Sequence, residues 1–325
     1  MRYGPADPMA DVGCRLGEGG QAGCGGGSMG RTLVVRSRLG WRVVVIPAML
    51  VASMAAPATS RAAGGTYVSL GDSYTSAPLV PLPTGNPIDC GRSTNNYPSD
   101  VARVINPTSF VDVSCGSATT SDMTQAQTGL PLGGTNPPQF NGLGTADTIV
   151  TVGIGGNDAG LVGVAEQCGE LDWDSPTGTN CKDHYTASGS DPNVAAIDAT
   201  GPKIAAVLEG IHRLAPQAQV LIVGYPDGLP VDGTGCWPLV PISPGDIAYF
   251  NSLEEQLNTL TAQEAAANGA TYIDTFTSSI GHDACKAPGT AWVNGIVPNS
   301  VAYPLHPNEA GEQNMADQVL AALGL

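Results

Sequence analysis

An α/β fold, with a central parallel sheet and helices on both of its faces, is predicted by three features of the sequence. Short runs rich in Val, Ile and Leu recur along the chain and read as buried strands. Segments of helical length with one apolar face separate them. Most runs end on glycine or other small residues, which suits a chain turning sharply away from a sheet. Open α/β folds place their ligands along the edge where the strands end.

Taken in order, Thr66–Leu70 is the first strand, and it breaks at Gly71-Asp72-Ser73. A serine there stands at the carboxyl edge of the sheet. It is a weak nucleophile alone, so it needs a base and oxyanion donors from elsewhere. The tripeptide by itself also describes a plain turn, because all three residue types favour turns. Pro78–Pro98 reads as loop, Asp100–Val104 as a short helix and Ser109–Val113 as the second strand. Small residues end that strand at Ser114-Cys115-Gly116-Ser117.

Asp147–Val152 is the most apolar strand and is expected at the centre of the sheet. It breaks at Gly153-Ile154-Gly155-Gly156-Asn157-Asp158, where the G-x-G-x-x-G spacing of a dinucleotide loop is absent. Gln167–Asn193 is a polar excursion containing Cys168 and Cys181. Val194–Leu214 follows as a helix, with Gly201-Pro202 a point of kink or restart. Gln219–Val223 is the next strand, closed by Gly224-Tyr225-Pro226. Asp246–Asn268 is a long helix with Asp246 as N-cap and Gly269 just past its end. Thr271–Asp274 is the last strand, and Asn308–Leu323 is the closing helix after His306-Pro307. Right-handed crossovers align the carboxyl ends of such strands along one edge. Ser73, Gly116 and Asn157 all lie just past such ends.

Residues 1–28 are glycine-rich without apolar periodicity, and read as a disordered extension or as sequence upstream of a true start at Met29. Residues 29–62 read as a secretory signal: Arg31, Arg36, Arg38 and Arg42 precede the apolar stretch Val43–Ala56, and small residues follow. Gly26-Gly27-Ser28-Met29-Gly30 fits a G-x-S-x-G hydrolase pattern, but it follows no strand and is set aside. Residues 63–325 are then expected to form one secreted, extracellular domain with no membrane anchor after cleavage. That part has six basic and 26 acidic side chains, a formal charge of −20. Such a surface excludes nucleic acid as a partner, since phosphate binding requires Lys and Arg, and self-repulsion favours a monomer. Cys14 and Cys24 precede it; the other six cysteines of the eight read as three disulfides. Pairing in order is simplest: Cys90–Cys115, Cys168–Cys181 and Cys236–Cys285. Zinc is disfavoured by the lack of a C-x-x-C or histidine cluster.

Acyl transfer requires a nucleophile, a base in reach of it and donors aimed at the oxyanion. Ser73 is the candidate nucleophile and His306, in a loop before a helix, the candidate base. His184, His212 and His282 are less suitably placed. The candidate donors are the N–H groups of Ser73 and Gly116 and the side-chain amide of Asn157.

Gly71-Asp72-Ser73, Gly116 after a strand, Gly155-Gly156-Asn157-Asp158 and His306-Pro307-Asn308 resemble, in order, the four blocks of the SGNH/GDSL hydrolases. Cys90-Gly91-Arg92-Ser93 with Asn96-Tyr97-Pro98 is similar to secreted actinobacterial lipases and esterases of that family. The resemblance implies a flavodoxin-like three-layer α/β/α sandwich. It also implies ester hydrolysis through an acyl-serine without metal or cofactor. It carries the family's serine, glycine, asparagine and histidine onto Ser73, Gly116, Asn157 and His306. One position departs from the family: Tyr303 stands where an aspartate usually orients the histidine. A backbone carbonyl, that of Tyr303 or Pro304, is expected to hold the imidazole instead. Asp72 and Asp158 are expected to be structural. The expected substrate is a small-molecule or lipid ester. Phospholipase or acetyl-xylan-type esterase activity, or glycan binding on a degenerate site, are the alternatives. Leu79–Asp89 and Gln125–Gly144 are expected to border the acyl pocket.

Overall fold

The computed structural model describes residues 65–325. The extension expected over residues 1–28 and the signal expected over residues 29–62 lie outside the described residues. Among the described residues, one sheet contains β1 (Thr66–Gly71), β2 (Ser109–Asp112), β3 (Asp147–Gly153), β4 (Gln219–Val223) and β5 (Thr271–Ile273). The strands lie in the order β2-β1-β3-β4-β5, and every neighbouring pair is parallel. These are the runs read as strands, each within a residue of the expected bounds.

Between β1 and β2 lie α1 (Ser73–Ser76) and α2 (Tyr97–Ile105). After β3 come α3 (Gly156–Ala159), α4 (Leu161–Asp172), α5 (Asn180–Thr186), α6 (Pro192–Asp198) and α7 (Gly201–Leu214). β4 leads to α8 (Pro244–Ala267), and β5 to α9 (Phe276–Ser279) and α10 (Glu309–Leu323).

Side chains alternate between the two faces of the strands. Val68, Leu70, Val150, Val152, Val220 and Ile222 pack with Ile204, Val207, Leu208 and Ile211 of α7. Tyr67, Leu221, Val223 and Ile273 pack on the other face with Val101 of α2 and Met315 and Val319 of α10. Helices therefore cover both faces, as the three-layer expectation requires. A further apolar cluster joins α4, α6 and α8 and includes Val164, Ile197, Leu253 and Leu257. No helix among the described residues is long and apolar enough to cross a membrane.

Several element boundaries differ from expectation. Ser243, not Asp246, caps α8: its hydroxyl accepts the N–H of Asp246, and Pro244 fits the first turn. Asp246 instead caps its neighbour, accepting the N–H groups of Cys181 and Lys182 at the start of α5 at 2.9 and 2.8 Å. The expected helix Val194–Leu214 is two helices, α6 and α7, since Pro202 has no N–H to continue the ladder. The polar excursion at Gln167–Asn193 contains the end of α4 and all of α5, joined by the Cys168–Cys181 disulfide. Cys90–Cys115 and Cys236–Cys285 are also paired, in the order expected.

β1 lies between β2 and β3, so the chain leaving β1 crosses to one side and then returns to the other. The loops after β1 and β3 diverge from that point and leave a crevice.

Candidate active site

The backbone at the end of β1 is held from three directions. A Cβ at Gly71 would lie 2.6 Å from the Gly153 carbonyl oxygen, so only glycine permits this approach to β3. The side-chain amide of buried Gln139 donates to the Gly71 carbonyl at 2.9 Å and accepts its N–H at 2.8 Å. Asp72 then caps α1, accepting the Tyr74 N–H at 2.9 Å. Ser73 is thereby fixed as the first residue of a helical turn, at the crevice beside β1.

His306 comes from the loop before α10, whose N-cap Asn308 accepts the N–H groups of Ala310 and Gly311. Its Nε2 lies 2.7 Å from Ser73 Oγ, and its Nδ1 lies 2.8 Å from the Pro304 carbonyl oxygen. A carbonyl only accepts, so Nδ1 carries the hydrogen and Nε2 is left to accept from the serine hydroxyl. Of the two carbonyls expected, that of Tyr303 accepts the backbone N–H of His306 and that of Pro304 receives the ring. The Tyr303 side chain is half exposed and stands edge-on to the imidazole, centroids 5.2 Å apart. Tyr74 flanks the ring at 4.8 Å and donates its hydroxyl to the Leu305 carbonyl at 2.6 Å. Burial pushes the imidazole down to about 4, with the Pro304 hydrogen bond acting against that shift. The ring is therefore neutral at pH 7, the state a general base needs.

On the oxyanion side, the N–H of Ser73 has no partner among the described residues. The Asn157 amide, in α3, donates one hydrogen to the Ala118 carbonyl at 2.9 Å and keeps a second. Ser73, Asn157 and His306 line one cleft. Neither Gly116 nor Ser117 is among the residues that line it, and the Gly116 N–H is occupied, donating to the Cys90 carbonyl at 2.8 Å, an acceptor held in place by the Cys90–Cys115 disulfide. The next residue, Ser117, has a left-handed backbone (φ 61°), and its N–H has no partner among the described residues. It precedes the carbonyl that Asn157 holds. The sequence reading named Gly116 as the donor here and did not weigh Ser117, whose N–H is the unpartnered one of the two.

Asp72 and Asp158 both have the structural contacts expected of them. Asp158 accepts from the N–H and hydroxyl of Thr120 at 2.8 and 2.7 Å and pairs with Lys203 at 3.2 Å, tying α3 to the turn at Thr120 and to α7. Asp72 accepts the Tyr225 hydroxyl at 2.5 Å, and that hydroxyl accepts the Gly156 N–H at 2.8 Å. Tyr225 thus couples the turn holding Ser73 to the one holding Asn157. In the sequence it was visible only as part of a strand's closing turn. Burial raises the Asp72 carboxyl to about 7 against these hydrogen bonds.

The cleft holds about 660 Å³, within the usual size of a ligand site. Leu161, Ala165, Phe250 and Ile296 contribute to apolar walls around the Ser73–His306 pair. Neither Leu79–Asp89 nor Gln125–Gly144 lines it, contrary to expectation. The latter segment supplies Gln139, which braces β1 from behind.

Comparison with known proteins agrees with the fold. Residues 69–313 match the GDSL-like Lipase/Acylhydrolase family. Lipase 2 of Streptomyces coelicolor is 36% identical over 264 residues, covering 80% of this chain and 86% of the relative. Lipase 1 of the same organism is 31% identical, covering 83% and 91%. Among solved structures, phospholipase A1 from Streptomyces albidoflavus superposes with a TM-score of 0.65 at 26% identity, covering 79% of this chain and 98% of that one. An extracellular lipase from Streptomyces rimosus gives 0.63 at 26% identity, covering 79% and 99%. With the sheet, the serine turn and the family match in agreement along most of its length, the chain belongs to the GDSL-like lipase/acylhydrolase family and is a carboxylic ester hydrolase.

Proposed function

We propose that this protein is a secreted lipase or esterase that cleaves carboxylic esters through an acyl intermediate on Ser73. The 2.7 Å approach of His306 Nε2 to Ser73 Oγ, with Nδ1 tied to a carbonyl, is the observation that supports this most directly. His306 takes the hydroxyl proton as Oγ attacks the ester carbon. The oxyanion is met by the Ser73 N–H, the free hydrogen of the Asn157 amide and, in place of Gly116, the Ser117 N–H. Collapse expels the alkoxide, which receives its proton from His306 Nε2. Water then attacks the acyl-serine with the same base, releasing the acid and restoring Ser73. The Pro304 carbonyl fixes the tautomer that this sequence of transfers requires. Three disulfides and the likeness to an extracellular lipase support secretion.

Ser73→Ala is expected to lower the turnover of p-nitrophenyl butyrate to background while leaving the melting temperature within a few degrees. Turnover well above background in that variant would sink the proposal. Phospholipid esters are a second reading, supported by the likeness to a phospholipase A1. Assaying phosphatidylcholine and acetylated xylan beside simple esters separates the substrate classes.

A further inference from the structure

The cleft beside Ser73 has a direction, set by α4. Gly160 turns the chain at the end of α3, and Leu161 starts α4 four residues beyond Asn157. Leu161, Ala165, Gly169 and Trp173, four residues apart, all line the cleft. That spacing places them along one helix face. From first to last the helix advances about 18 Å at 1.5 Å per residue. An extended hydrocarbon chain with bonds of about 1.5 Å advances roughly 1.3 Å per carbon, so about fourteen carbons span that face. Pro241, Phe250 and Ile296 add apolar surface to the same cleft.

The middle of the face is its narrowest in side-chain size. Ala165 and Gly169 are both buried in the fold, and both border the open cleft. Nothing in the backbone demands glycine at 169, which lies inside a regular helix. Nothing in the packing demands it either: a Cβ there would meet only the Pro241 ring, at an ordinary 3.7 Å. Glycine weakens a helix interior relative to other residues. Its evident effect is to leave space beside the cleft.

The alkoxide must leave next to His306, which protonates it, and Tyr303, Pro304 and Leu305 form the cleft on that side. The wall continuing from Asn157 is left for the acyl group. We infer that this face of α4 is the acyl channel and that Gly169 sets the length of acyl chain the enzyme accepts, which makes long unbranched fatty-acyl esters, rather than acetyl esters, its substrate class. This rests on Ser73 being the acyl acceptor. Glu166, Glu170 and Asp174 border the same channel and add negative charge at its exposed side, so neutral esters enter it more readily than anionic ones.

The test compares Gly169→Leu with Gly163→Leu in the full chain. Gly163 is on the same helix but exposed, outside the cleft, and a Cβ there meets nothing within 4 Å. Values of kcat/KM are measured on p-nitrophenyl acetate, butyrate, octanoate, laurate and palmitate. The wild type is expected to favour octanoate and longer esters over acetate. Gly169→Leu is expected to lose about tenfold or more on laurate and palmitate while staying within about twofold on acetate and butyrate. Gly163→Leu is expected to follow the wild type throughout. An equal loss on every ester, no loss on any, or a wild-type preference for acetate overturns the inference. So does length discrimination that appears on acetates of long alcohols instead. If Gly169→Leu does not fold, Gly169→Ala is expected to show a smaller loss confined to the longest esters, and an unchanged profile overturns the inference. Unchanged chain-length profiles with turnover that Ser73→Ala abolishes count against the channel alone. Turnover that survives Ser73→Ala counts against the underlying reading of the site.

Discussion

The His306 imidazole has a backbone carbonyl, not a carboxylate, behind its Nδ1, and under the proposed mechanism that has a measurable consequence. A carbonyl oxygen can fix the imidazole's tautomer but stabilises the imidazolium less than an aspartate does. Burial adds to this, pushing the ring down to about 4 from its ordinary value near 6.5. A lowered imidazole pKa means that the neutral, base-competent form persists as the pH falls through 6. The acidic limb of kcat/KM, which reports the free enzyme, is therefore expected near pH 4 to 5. A midpoint between 6 and 7 on a simple ester would contradict this account of the ring's environment. Ser73 and His306 were legible in the sequence because each sits beside strong punctuation: a glycine ending a strand, and a proline and asparagine opening a helix. The second backbone donor proposed here was not. Which of the Gly116 and Ser117 N–H groups is left unpartnered depends on where the Cys90 carbonyl lies, and that carbonyl belongs to a disulfide spanning 25 residues.

At the scale of elements, strands were easier to read than the helices that build the cleft. The runs behind β1, β3 and β4 are short, apolar and closed by glycine, so little else fits them. α4 was obscured by Gly160, Gly163 and Gly169, which interrupt the periodicity that marks a helix. It nevertheless forms one long wall of the site, packed through Val164 and Cys168 into the cluster with α8. Gln125–Gly144 shows the opposite error. It was expected to border the pocket, but Gln139 is wholly buried and grips both polar groups of Gly71. Gln139→Ala removes both bonds and leaves a buried N–H without its partner. It is expected to cost about 1–3 kcal/mol in urea unfolding and to lower kcat, because the turn before Ser73 loses a support. Full stability with wild-type kcat would mean that the strand end is held adequately without it.

Across the whole molecule, acidity and burial combine. Asp72 and Asp227 are raised to about 7 and Glu254 to about 8, mainly by burial. The Asp283 carboxylate raises Asp227 further, while the Lys286 ammonium and the Gly281 backbone N–H act against that shift. A carboxyl whose folded pKa lies above its unfolded value binds its proton more tightly when folded. It favours the fold at low pH, and that contribution is lost as the pH rises from about 4 towards 7 or 8. His306 acts in the opposite sense, adding stability between about pH 4 and 6.5 as the unfolded ring loses its proton. Above 6.5 only the carboxyls remain, and the −20 charge of residues 63–325 repels itself as they ionise. The melting temperature is accordingly expected to fall between pH 6.5 and 8.5; a steady rise over that range would count against these buried environments. Fold class, charge and disulfide order follow from features spread along the chain, which is why the sequence revealed them. Which wall the substrate touches depends on how α4 packs, and no single stretch encodes it.

The central claim is that Ser73 becomes acylated with His306 as its base. Treating the wild type with a fluorophosphonate and mapping the adduct by peptide mass spectrometry tests it most directly. The account predicts one modified residue, Ser73, with labelling slowed by orders of magnitude in His306→Ala and absent in Ser73→Ala. An enzyme that hydrolyses esters yet carries the label on another serine, or on none, would contradict it.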